Sequence, residues 1–137
     1  MTDRIQVRRT ATRILIALLA LALLAAGCGA SEAVQVGPDD NGQQFELKAG
    51  QELIVTLAAN PTTGYSWDVG ESSEAVIRAV GEPEFASESN LMGAGGTQTM
   101  HFEAVEAGQS TLTLVYNRPW EKDVEPIETF SIVVVVR

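Results

Sequence analysis

From Leu53 to the C-terminus, apolar residues recur at every second position. Leu53, Val55 and Leu57 share one face, with Ile54, Thr56 and Ala58 opposite. Met100, Phe102 and Ala104 alternate with Thr99, His101 and Glu103, and Leu112, Leu114 and Tyr116 alternate with Thr111, Thr113 and Val115. Phe130, Ile132, Val134 and Val136 close the chain in the same phase. A period of two is that of strands with one buried face. Adding Phe45–Lys48, Tyr65–Val69 and Val76–Val80 predicts seven short strands. They are separated by Ala49-Gly50, Asn60-Pro61, Gly81-Glu82-Pro83, Gly93–Gly96, Ala107-Gly108 and Asn117–Pro119. Many short strands without a helical period predict an all-β fold, an antiparallel β-sandwich of immunoglobulin-like shape. Chemistry in such a fold is sought in the loops.

The N-terminal quarter follows another pattern. Arg4, Arg8, Arg9 and Arg13 precede an unbroken apolar run of 13 residues, Ile14 to Ala26. That length suits the core of a signal peptide and is short for a membrane span. The run ends in Leu24-Ala25-Ala26-Gly27-Cys28, which resembles the lipobox of bacterial lipoproteins. The resemblance implies cleavage before Cys28 and acylation of this cysteine, the only one in the chain. The expected organisation is a signal peptide over 1–27, a lipid anchor and tether over 28–43, and one domain over 44–137. The tether, rich in Gly, Pro, Asp and Asn, has room for a short first strand at Ala33–Val36. The expected location is extracytoplasmic, at a membrane of the cell envelope, held by the lipid alone.

Cleavage changes the charge. The whole chain carries −9, but all of its 18 acidic residues except Asp3 lie after the cleavage point. Only Lys48, Arg78, Arg118, Lys122 and Arg137 oppose them, so the remainder is near −12. Such a body repels nucleic acid and anionic membrane surfaces, and neither is expected as a partner. Asp39, Asp40 and Asn41 lack the spacing of a calcium loop. No metal or cofactor is expected. Nor is an enzyme: His101 is the single histidine and stands on the polar face of a strand, while the single cysteine is at the proposed anchor.

Three loops carry the remaining signal. In Asn60-Pro61-Thr62-Thr63-Gly64-Tyr65-Ser66-Trp67, Pro61 locks its own φ and drives Asn60 into an extended conformation. Gly64 supplies a position of positive φ. Two β-branched threonines stand between them, and Tyr65 and Trp67 then share one face of the exit strand. This is a pre-shaped binding loop or an ordinary turn feeding an aromatic strand. Gly93-Ala94-Gly95-Gly96 allows close approach of another backbone, or is a flexible tip. Arg118-Pro119-Trp120 places an indole in a polar loop, folded back over the sandwich end or exposed as an anchor.

In this order and spacing, the three motifs resemble those of the chagasin family, inhibitors of papain-like cysteine peptidases. The resemblance extends from about Phe45 to Val136. It implies an immunoglobulin-like sandwich with the three loops side by side at one end, acting as a monomer by reversible, competitive and noncovalent inhibition. By that likeness, Asn60, Pro61, Thr62, Thr63, Gly64 and Tyr65 form the central plug, with Thr62 and Thr63 nearest the catalytic cysteine and histidine of the peptidase. Gly93, Gly95 and Gly96 would line one side of the cleft through main-chain contacts, and Arg118, Pro119 and Trp120 would cover the other. The segment Phe85–Met92 reveals no subsite preference. A second reading stays open, a non-inhibitory surface lipoprotein that uses the same scaffold as a binding module.

Overall fold

The computed structural model describes residues 30–137, so Cys28 and the apolar run before it lie outside the described residues. Among the described residues, eight strands form two four-stranded sheets. In chain order they are β1 (Val34–Val36), β2 (Gln44–Leu47), β3 (Glu52–Ala59), β4 (Ser66–Glu71), β5 (Ile77–Ser87), β6 (Gly96–Ala104), β7 (Gly108–Asn117) and β8 (Glu128–Val136). One sheet has the order β1-β3-β6-β5 and the other β2-β8-β7-β4.

The alternating residues of β3, β6, β7 and β8 meet between the sheets. Leu53, Val55, Leu57, Met100, Phe102, Ala104, Leu112, Leu114, Phe130, Ile132, Val134 and Val136 are all buried there. Each of these side chains larger than alanine contributes roughly 1.5–3 kcal/mol by leaving water, before the entropy of ordering the chain is subtracted. The expected sandwich is present, with three differences of detail.

The first two are at the sheet edges. The three-residue β1 forms where a short strand was expected at Ala33–Val36, but it pairs with β3 and buries Val36, as part of the sandwich and not of a tether. The sandwich therefore begins before residue 44. Two edge pairings, β1 with β3 and β2 with β8, are parallel, while the central ones are antiparallel. The third is β5, which does not end at Val80. It continues to Ser87, and the Gly81-Glu82-Pro83 expected as a turn is a break in register between Val80 and Glu84. A proline at an irregular stretch of an edge strand forfeits no ladder bond. Of the eleven residues of β5, only Ile77 is buried.

Register brings the loops together. Ala59, the last residue of β3, pairs with Gly96, the first of β6, and Gly96 also faces Ser87 at the end of β5. In the other sheet Ser66 opens β4 opposite Asn117, and Tyr116 of β7 faces Glu128, where β8 begins. The β3–β4, β5–β6 and β7–β8 connections therefore emerge at the same end of the sandwich.

Candidate functional site: three loops at one end of the sandwich

The β3–β4 connection is built around Asn60. Its side-chain oxygen accepts from the amide of Thr62 at 3.2 Å and from the Thr62 hydroxyl at 2.6 Å. Its carbonyl accepts from the amide of Thr63 at 3.2 Å and from the Thr63 hydroxyl at 2.6 Å. Pro61–Thr63 form a single 3-10 turn, closed by the Gly64 amide donating to the Pro61 carbonyl at 2.9 Å. Gly64 has φ of +84°, the left-handed conformation its place in the motif implied. Pro61, Thr62 and Thr63 are exposed at the top of this turn.

The floor beneath it is aromatic. Trp67 is 3% exposed, and its indole N–H donates to the Ala58 carbonyl of β3 at 2.9 Å. Tyr116 lies between Trp67 and Tyr65, with ring centroids 5.0 and 5.5 Å away. Its hydroxyl accepts from the Asn60 amide at 2.8 Å, so the end of β7 holds the start of the turn. Gln98 of β6, 7% exposed, reaches across to the other sheet. Its amide nitrogen donates to the Trp67 carbonyl at 2.8 Å and its oxygen accepts from the Trp67 amide at 2.9 Å. A primary amide thus takes the place of a neighbouring strand.

The other two loops lean on this turn. The Asn60 side-chain nitrogen donates to the Gly93 carbonyl at 3.2 Å. From the β7–β8 connection, Arg118 donates through Nε to the Thr63 carbonyl at 3.1 Å, lies 4.5 Å above the Tyr65 ring, and pairs with Glu121 at 3.1 Å. Its guanidinium is therefore turned inward, stapling two loops. Pro119 is exposed. Trp120 is 67% exposed, with one edge of its indole over Gly64. A Cβ on Gly64 would collide with Cη2 of that ring and stand 2.8 Å from Cζ2.

The three glycines differ. Gly93 has φ of +79° and is exposed at the β5–β6 apex. Gly95 stands close to the Ala59 carbonyl, which a Cβ would meet at 3.6 Å. Gly96 is buried in β6, where a Cβ would run into the Ala86 carbonyl oxygen, so the sheet itself demands a glycine there.

Reading the sequence alone passes over Gln98, although one signal was present. It occupies the inward phase of β6, in register with Met100, Phe102 and Ala104. A polar residue in that phase requires a buried partner, and the partner is the Trp67 backbone. The period of two marks Tyr116 as a core residue only. Its second role depends on a hydroxyl contact 56 residues away in sequence.

A model of the family described as Chagasin family peptidase inhibitor I42 matches residues 46–134. The chain belongs to the chagasin family. It is 32% identical over 96 residues to Chagasin of Trypanosoma cruzi, covering 67% of this chain and 87% of that protein. It is also 32% identical over 91 residues to Amoebiasin-2 of Entamoeba histolytica, covering 62% of this chain and 70% of that one. The fold is shared with the crystal structure of the cysteine protease inhibitor EhICP2 from Entamoeba histolytica. There the TM-score is 0.67 and the identity 23%, over 77% of this chain and 96% of that one. Membership of the chagasin family makes this protein a peptidase inhibitor and not an enzyme.

Proposed function

We propose that this protein inhibits papain-like cysteine peptidases reversibly and competitively, with the Asn60–Gly64 turn as the plug of the catalytic cleft. One observation carries the reading. The carbonyls of Asn60, Pro61 and Thr63 already accept hydrogen bonds from within the protein. A substrate must offer its carbonyl to the attacking thiolate and to the donors that stabilise the oxyanion. A turn with these three carbonyls engaged internally fills the cleft while withholding most of its backbone from attack, and its rigidity lowers the ordering cost of binding. Trp120 supplies the large exposed aromatic typical of an interface anchor, and the Gly93–Gly95 backbone the flank. All three loops come from one copy of the domain, so a monomer suffices.

A soluble Ser31–Arg137 protein titrated against papain and related enzymes tests this. Competitive inhibition, retained toward an enzyme whose catalytic thiol is capped by a small group, is the expected outcome. Failure to inhibit several such enzymes at micromolar concentration would favour the surface binding module.

The location is part of the proposal. The run from Arg4 to Cys28 supports lipid anchoring at Cys28 and an extracytoplasmic domain. Cys28→Ala is expected to abolish labelling with a fatty acid and to leave the precursor uncut. Unchanged labelling would remove the anchor from the model of action.

A further inference from the structure

Only two methionines fall among the described residues, and their surroundings are opposite. Met100 is on the inward face of β6 and 6% exposed. Met92 is fully exposed, beside Leu91 at 79%. The reason is a turn. The Ala94 amide donates to the Leu91 carbonyl at 3.2 Å, and Gly93, third of these four residues, has φ of +79° while Met92 does not take positive φ. That is the pattern of a type II turn with Met92 in its second position. At the apex of a hairpin, this position projects away from both strands.

The apex belongs to the loop cluster. Its neck is closed by the Glu88 amide donating to the Gly95 carbonyl at 3.0 Å. The residue after Met92, Gly93, receives the bond from Asn60. An exposed apolar pair at an interaction end is where a partner's apolar surface would be met, and a thioether adapts to irregular surfaces.

We propose that Met92 is an oxidation site at which hydroperoxides switch the inhibitor off. The proposal rests on the inhibitory reading above. In the step, a sulfur lone pair attacks one peroxide oxygen as the O–O bond breaks. Sulfur gains that oxygen and loses two electrons, and the other oxygen leaves after proton transfer as water from hydrogen peroxide, or as an alcohol from an alkyl hydroperoxide. The product is a polar sulfoxide on an otherwise unchanged backbone. Set against apolar peptidase surface, its new dipole loses hydration without a partner. Met100, shielded in the core, is spared.

The test oxidises the purified protein alone with hydrogen peroxide and removes the oxidant with catalase, because the peptidase thiol is also oxidisable. Peptide mapping by mass spectrometry should find one added oxygen on Met92 and none on Met100. The inhibition constant should rise roughly tenfold or more, the loss of one apolar anchor. Methionine sulfoxide reductase should restore it. Met92→Leu, whatever its own starting constant, should show no further rise after the same treatment. An unchanged constant with Met92 fully oxidised would overturn the proposal, as would an equal rise in Met92→Leu. If the untreated protein inhibited no papain-like enzyme, the inhibitory reading would fall and this proposal with it.

Discussion

The β3–β4 turn and the β5–β6 apex stand at the same end of the sandwich and are held in different ways. In the turn, Asn60 alone engages Thr62 and Thr63 through four hydrogen bonds and donates a fifth from its amide to the Tyr116 hydroxyl. Arg118 holds the Thr63 carbonyl, and the Trp120 indole lies over Gly64. The apex is tied by its own turn, by its neck, by bonds of Ser87 and Ser89, and by the single strut from Asn60. Its most apolar residues face water. The contrast teaches a division of labour. An element that must not be cut needs one conformation, fixed before binding. An element that only flanks the cleft can present adaptable side chains on a lightly held hairpin.

The largest effect should come from removing the floor of the rigid turn. Trp67→Ala empties a site enclosed by both sheets and is expected to destabilise the fold by about 3–5 kcal/mol. It also deprives the Ala58 carbonyl of its donor, while the Gln98 bonds, made to the backbone of residue 67, are not removed by the substitution itself. Chemical denaturation measures the loss. A variant that kept its stability but lost affinity would place Trp67 on the binding surface and erase the distinction between floor and plug.

Gly64→Val acts one layer higher. A β-branched residue at φ of +84° is strained, and its Cβ would displace the Trp120 indole. Trp120→Ala removes the same indole and should weaken inhibition by about 2 kcal/mol, roughly thirtyfold in dissociation constant, with little change in melting temperature. If the valine works partly by evicting the ring, the double variant will be weakened by less than the sum of the two singles. Strict additivity in inhibition constants would show that Gly64 serves only its own turn.

How these parts were visible beforehand differs from residue to residue. The central strands were legible because Leu53, Val55, Phe102, Leu112 and Ile132 obey a period of two and are buried accordingly. Pro61 and Gly64 announced the turn through backbone restrictions that are local to them. The course of β5 was hidden because Gly81 and Pro83 signal a turn equally well when they break an edge strand. The contacts of Arg118 were hidden, since nothing local tells a guanidinium that Tyr65 and the Thr63 carbonyl will lie within reach. Contacts that depend on distant register are the ones a local pattern does not carry.

The smallest effects set the two loops against each other most directly. Asn60→Ala removes the side-chain oxygen that accepts from Thr62 and the nitrogen that donates to Gly93. These bonds are exposed to water, so stability should fall by only about 1 kcal/mol. Amide exchange at Thr62 should quicken, and inhibition should weaken because the turn must then be ordered during binding. Ser89→Ala is the matching change in the apex. It removes the hydroxyl that accepts from the Leu91 amide at 3.2 Å. With the neck and the Leu91–Ala94 turn intact, stability and inhibition should both stay within about 0.5 kcal/mol of the parent. Equal losses of inhibition in the two variants would mean that the apex is as preorganised as the plug, and the division of labour between them would not stand.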